Sequence, residues 1–308
     1  MNALGLILLD ILLPVFVIML LGYVMQLKFK MDLQTLAKLN IYFVVPAFIF
    51  VELYDNDIAL GLFGLVLVFF IVYTVLLFLA GQGLSRMAGL TQSRRITFTN
   101  SLMFYNSGNY GVPVNDLVFR GDPLAMGVQV IMMTLQNVFL FSYGVFSLQA
   151  ASIGKLRALL GYLKMPVMYA MVLGVLLGWL EVPLPAFVWT PAEYVADAMI
   201  AIALFTLGAQ VASFEFLPVR LSVYASAAVR LIAGPAIALV ILLVLPVQGM
   251  LAQALFIASA MPTSVNSAII AQEYRMHPKY AAQIVLFSTI FSAATVTVVI
   301  YLSRVLFA

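Results

Sequence analysis

The chain is written almost without interruption in apolar blocks of bilayer-spanning length. Such blocks lie at residues 4–26, 34–53, 59–84, 96–118, 124–149, 165–180, 191–213, 221–245, 251–273 and 279–306, parted by short polar or Gly/Pro stretches. About 20 apolar residues in a helix cross the hydrocarbon core, and lipid offers no partner to an open backbone group, so each block must close its hydrogen bonds internally. Barrel strands would instead show about ten residues of alternating polarity. The predicted fold is an all-α polytopic membrane protein with ten transmembrane helices. Composition excludes a soluble domain: of 308 residues 65% are hydrophobic and 9% charged, against about 45–50% and about 25% in soluble chains.

The net charge of +3 is carried by scattered Lys and Arg that form no basic run, which argues against a nucleic-acid partner. They sort by side of the membrane instead. Twelve, from Lys28 and Lys30 through Arg94, Lys155, Arg157 and Lys164 to Arg275 and Lys279, fall in one set of loops, whereas Arg120 and Arg304 fall in the other. The positive-inside rule then places both termini on the extracytoplasmic side of a plasma (inner) membrane. The opening MNALGLILLDILLPVF lacks the basic start of a cleaved signal peptide and reads as a retained span. With no cysteine there is neither a disulfide nor a thiolate metal site, and no cofactor or metal is expected.

Two internal matches share nearly one offset. Pro14-Val15 with Gly22 returns as Pro166-Val167 with Gly174, 152 residues on, and Pro113 in span four returns as Pro262 in span nine, 149 residues on. This pattern divides the chain into halves of five helices, residues 1–150 and 151–308. An odd helix count inserts the second half upside down, giving an inverted repeat.

Spans four and nine are not built as ordinary helices. Span four carries Asn106, Gly108, Asn109, Gly111, Pro113, Asn115 and Asp116, and span nine carries Pro262, Thr263, Ser264 and Asn266. Proline removes a donor and glycine relaxes the chain, and freed backbone groups at membrane depth are tolerated only inside protein or around a wet cavity. Two readings stand: kinks in packed helices with inter-helix hydrogen bonds, or broken crossover helices meeting near the midplane at a substrate site. The matched pair favours the second. Substrate-binding candidates are Asn106, Asn109, Pro113, Asn115, Pro262, Ser264 and Asn266, with Asn137 beside Gln136 and Thr134 in span five. Ser288, Thr289 and Ser292 in span ten are further polar candidates.

Ionisable residues within spans are costly and mark function by default. Arg230, mid-span in span eight, reads as an anion partner or as a structural cation on backbone carbonyls. Asp116 reads as a proton carrier or as a solvated residue at the outer interface. Enzyme chemistry is poorly supplied. The single histidine, His277, sits in a loop beside Pro278, and neither an HExxH motif nor a phosphate-binding P-loop occurs.

These residues carry a family resemblance. Gln272-Glu273-Tyr274-Arg275-Met276-His277-Pro278 after Met261-Pro262, Val229-Arg230-Leu231 with Gly234-Pro235-Ala236, Phe205-Thr206-Leu207-Gly208, and Asn106 with Gly111-Val112-Pro113 resemble the auxin efflux carrier family, which includes plant auxin carriers and bacterial malate or malonate permeases. The resemblance covers nearly the whole chain. It implies a fold similar to bile-acid and sodium/proton antiporter structures, with a scaffold from spans 1, 2, 6 and 7, a transport domain from spans 3–5 and 8–10, and often a homodimer. It also implies that Asn106 faces a substrate carboxylate. The large cytoplasmic loop of the plant members is absent here, which favours a small organic anion over auxin. The expected function is secondary or potential-driven transport of such an anion by elevator-type alternating access, with H⁺ or Na⁺ as candidate coupling ions. The rivals are a cation/proton antiporter and a channel- or receptor-like membrane protein.

Overall fold

A computed structural model describes residues 3–55, 60–144, 146–147, 166–214 and 220–307. Asp57, the end of predicted span five beyond residue 147, and the linker 150–164 with Lys155, Arg157 and Lys164 lie outside the described residues.

Twelve helices are described: α1 (Ala3–Phe29), α2 (Leu33–Asp55), α3 (Leu60–Met87), α4 (Gln92–Met103), α5 (Val112–Phe119), α6 (Pro123–Gly144), α7 (Pro166–Trp179), α8 (Ala186–Ala212), α9 (Leu221–Val244), α10 (Gly249–Ser259), α11 (Val265–Glu273) and α12 (Pro278–Leu306). Seven of them, α1, α2, α3, α6, α8, α9 and α12, are long and apolar enough to cross a membrane. Among the described residues the only extended pairing is one isolated antiparallel bridge, Tyr105 with Thr263. Large apolar side chains such as Leu20, Leu21 and Leu27 on α1 and Leu243 and Val244 on α9 stand exposed on outer faces, as helices bathed in lipid require and soluble domains avoid.

Helix starts follow local chemistry. Asp32 caps α2 by accepting from the Gln34 amide at 3.0 Å, and Asp122 caps α6 by accepting from Leu124 and Ala125 amides at 3.0 and 3.2 Å. Each supplies an oxygen to amides that have no partner within the helix. One boundary differs from expectation. Predicted span seven begins at Pro191, but α8 begins at Ala186 and carries Pro191 inside its first half. Pro191 is the sixth residue of α8, so the helix carries it past its first turn at the loss of the hydrogen bond to the carbonyl four residues back.

α1 packs along α8, and α2 along α7. The glycines of the repeated sequence motif do the same job at both places. A methyl group added at Gly22 would lie 2.1 Å from the Phe205 carbonyl oxygen of α8, and one at Gly174 would lie 2.9 Å from the Phe50 carbonyl oxygen of α2. Gly208 answers Gly22 from the other side, its added carbon falling 1.8 Å from the Met19 oxygen. Backbones this close gain dispersion contact that lipid cannot match.

Candidate functional site

Both interrupted spans break, and they break against each other. α4 stops at Met103, Phe104 and Tyr105 run extended, and helix resumes through a wide π turn, Ser107–Gly111, into α5. α10 stops at Ser259, and α11 resumes at Val265. The two extended links pair as antiparallel strands: the Asn106 amide donates to the Pro262 carbonyl at 2.7 Å and the Ser264 amide to the Phe104 carbonyl at 2.8 Å. Proline is not the point of rupture in span four. Pro113 lies just past the π turn, in the first turn of α5, and the break falls upstream at Phe104–Asn106.

An ended helix leaves its last four carbonyls without partners, and here nearly all are met by named donors. At the end of α4, Ser101 O accepts from Thr263 Oγ1 at 2.9 Å, Leu102 O from Arg230 Nη1 at 2.9 Å and Met103 O from Gln136 Nε2 at 3.0 Å. At the end of α10, Ser259 O accepts from the Tyr73 hydroxyl at 2.9 Å and from Arg230 Nη2, while Met261 O takes Arg230 Nε at 3.0 Å. Ser288 Oγ receives the Thr263 amide at 3.1 Å, and Ser292 donates to the Tyr110 hydroxyl at 2.9 Å. Ser288 and Ser292 of span ten therefore brace the crossover, whereas Thr289 Oγ1 is buried without a partner among the described residues.

In front of the crossing strands lies a cavity of about 40 Å³, room for about three waters and hence for a carboxylate head. One wall is Tyr105, Asn106, Ser107, Gly108 and Asn109 of the first link, Ser264 and Asn266 of the second, and Gln136 and Asn137 of α6. The other is Asn40 of α2, Val167 of α7 and Gln210 of α8. Asn40 Nδ2 donates across the cavity to Asn109 Oδ1 at 3.0 Å. The lining carries seven carboxamides and no Asp, Glu, Lys, Arg or His.

Several lining groups are buried without a partner among the described residues: Asn106 Nδ2, the Tyr105 hydroxyl, Gln136 Oε1 and Gln210 Oε1. Gln136 is fixed in orientation because its nitrogen serves Met103 O. A buried polar group left unmade costs about 1–3 kcal/mol, so the cavity presents hydrogen-bonding capacity waiting for a polar guest.

Of the residues singled out from sequence, the structure brings Asn106, Asn109, Asn137, Ser264 and Asn266 to this cavity. Pro113, Asn115, Pro262, Asp116 and Arg230 stand outside its lining. Pro262 supplies a strand carbonyl. Asn115 is buried with both amide atoms unpaired, and nothing in the structure explains that. Asp116 is half-buried near the far end of α5, where its carbonyl accepts from the amides of Arg120 and Gly121. Arg230 is fully buried and bonds three backbone carbonyls, the geometry of a structural cation. Asn40, Gln210 and Tyr105 were not singled out. The signal for the first two is a carboxamide next to an apolar run, Asn40 before residues 41–45 and Gln210 after residues 201–207.

Broken spans of this kind, paired about one cavity in an all-helical membrane chain, agree with the outcome of comparing the sequence with known proteins. Residues 7–300 match the membrane transport protein family. The chain belongs to that family. It is the family of the auxin efflux carriers, as the sequence resemblance implies. This membrane transport protein is 27% identical over 289 residues to an uncharacterized transporter of Methanothermobacter thermautotrophicus, covering 91% of this chain and 93% of the relative. It is 26% identical over 306 residues to the uncharacterized transporter YfdV of Escherichia coli K12, covering 95% and 96%.

Proposed function

We propose that this membrane transport protein is a secondary transporter of small organic anions such as malate, malonate or pyruvate, and not an enzyme. The observation that carries the reading is the unpartnered Asn106 amide nitrogen at a carboxamide-lined cavity where two broken helices resume. Helix starts carry positive partial charge and amide donors, and together with Asn106 they replace the water shell that a carboxylate gives up on entering. The antiporter rival wants a buried acid at the crossover. Among the described residues Arg230 is the only charged side chain that is buried.

The cavity lies between α2, α7 and α8 on one side and the crossover with α6 on the other. This is where a scaffold of spans 1, 2, 6 and 7 would meet a transport domain of spans 3–5 and 8–10 in a ten-span inverted repeat. Alternating access follows if the crossover unit moves against that scaffold in elevator fashion. In an inner membrane with both termini outside, potential alone favours export of a monoanion by about 2.3 kcal/mol per 100 mV, and uptake requires a coupled cation.

The test is thermal stability of the purified protein against malate, malonate, succinate, pyruvate, indole-3-acetate and Na⁺, repeated with Asn106→Ala, followed by counterflow of the labelled hit in proteoliposomes. Saturable stabilisation by one acid, about 2.7 kcal/mol at one hundred times Kd, that disappears in Asn106→Ala supports the reading. Stabilisation by cations alone sinks it.

A further inference from the structure

The cavity that would hold an anion contains no positive side chain, yet the one buried charge among the described residues stands a single ring behind it. The Arg230 guanidinium lies 4.7 Å from the centre of the Tyr105 ring, and Tyr105 lines the cavity. The guanidinium also lies 5.8 Å from the centre of the Tyr73 ring and donates to Leu102 O at the end of α4, Ser259 O at the end of α10 and Met261 O in the link beyond. We propose that Arg230 makes this neutral cavity select an anion, by cancelling the negative ends of α4 and α10 so that the starts of the resumed helices set the potential felt through Tyr105.

The charge count supports it. A helix end is equivalent to about half an elementary charge, so two converging carbonyl ends place about one negative unit behind the cavity, and one guanidinium neutralises it. What remains in front is the opposite sign. Ser107, Gly108 and Asn109 sit where helix resumes toward α5, and Ser264 and Asn266 where α11 begins. A second, independent feature points to a ligand there: Asn106, only 5% exposed, lines the cavity with its amide nitrogen unpaired. In a water-poor interior such a balance is weakly screened. Arg230 touches no cavity space itself, so its role is positioning and electrostatic.

The inference rests on the anion-transporter reading, and the experiment separates the two. Pyruvate and indole-3-acetate are measured against their neutral amides, pyruvamide and indole-3-acetamide, by thermal shift on wild type, Arg230→Gln and Arg230→Lys. Wild type should prefer acid to amide. Arg230→Gln should weaken the acid by about tenfold or more while changing the amide by less than about threefold. Arg230→Lys, which keeps the charge but reaches fewer carbonyls, should keep the acid-to-amide ratio even where its melting temperature falls. Should Arg230→Gln fail to fold, the Lys variant decides: loss of the ratio there overturns the proposal. Parallel loss of acid and amide in Arg230→Gln assigns Arg230 a packing role only and overturns it as well. If wild type binds no acid at all, the anion reading falls and this inference falls with it.

Discussion

The seam between α1 and α8 and the crossover between residues 104–106 and 262–264 are both places where two stretches of backbone nearly touch, and they are built in opposite ways. At the seam, Gly22 and Gly208 remove side chains so that regular helices approach, and every backbone bond stays inside its own helix. At the crossover the helices are interrupted, and the carbonyls they release are taken up by Arg230, Gln136, Thr263 and Tyr73. Lipid satisfies no backbone group, so each must be met within its own helix, by a side chain or, as between these two links, by another stretch of backbone. Small residues thus build the part that holds shape, and polar residues build the part that can receive a guest.

The comparison breaks most visibly at Gly208. Its added methyl would fall 1.8 Å from the Met19 oxygen, a backbone atom that cannot swing aside. Gly208→Ala should cost about 3 kcal/mol, the upper part of the range for overpacking, seen as a lower melting temperature and less monodisperse protein. Gly64→Ala in α3, where nothing lies within 4 Å, should leave stability unchanged or raise it by about 0.5–1 kcal/mol. Equal effects at both positions would show that the seam is not glycine-limited.

At the crossover the expected signature is the reverse, a large effect on binding and a small one on folding. Asn106→Ala removes an amide whose nitrogen has no partner in the ligand-free protein. Its melting temperature should hold, while affinity for a carboxylate falls by about ten- to a hundredfold, the loss of one hydrogen bond to a charged group. A drop in stability with unchanged affinity would make Asn106 a structural residue like Gly208. Across the cavity, Asn40→Ala removes the 3.0 Å bond to Asn109 and should cost about 0.5–1.5 kcal/mol, read in the melting temperature without ligand.

Much of this was legible in the sequence, for reasons that differ between the two regions. Continuous apolar blocks set helix positions to within a few residues, as for predicted 279–306 against Pro278–Leu306, because lipid tolerates so few alternatives. The repeated Pro-Val and glycine motif was legible as an internal repeat, and its glycines fall at both close seams. Asn106 and Asn266 were visible because polar residues rarely interrupt a span without reason. Three things were not legible. Pro113 marked an interruption but not its position, since the break is fixed by pairing of Phe104 and Asn106 with a strand about 160 residues away. The partners of Arg230 are carbonyls, which every residue possesses and no sequence pattern distinguishes. Asn40 and Gln210 each sit alone in apolar surroundings, and only the approach of α2 and α8 to the crossover gives them a shared purpose.

The smallest expected effect sharpens the contrast at the opposite end of the crossover helix. α4 is held at its buried end by a guanidinium and at its other end, through Ser93 Oγ, by the Nε2 of His277 in the loop before α12, 2.8 Å away. Thr97 Oγ1 adds a bond to Met276 O at 3.3 Å. Partial burial, with Arg94 and Arg220 nearby, holds the imidazole below its usual 6.5. A base with a depressed folded pKa takes up protons more readily when unfolded. Its contribution is therefore complete above about 6.5 and is lost as pH falls through the lower folded value. Wild type should lose slightly more stability than His277→Gln between pH 7 and 5, with the two curves parallel above pH 7. Parallel curves throughout would show that the His277 contact carries no proton-linked stability, leaving α4 anchored chiefly by its buried end.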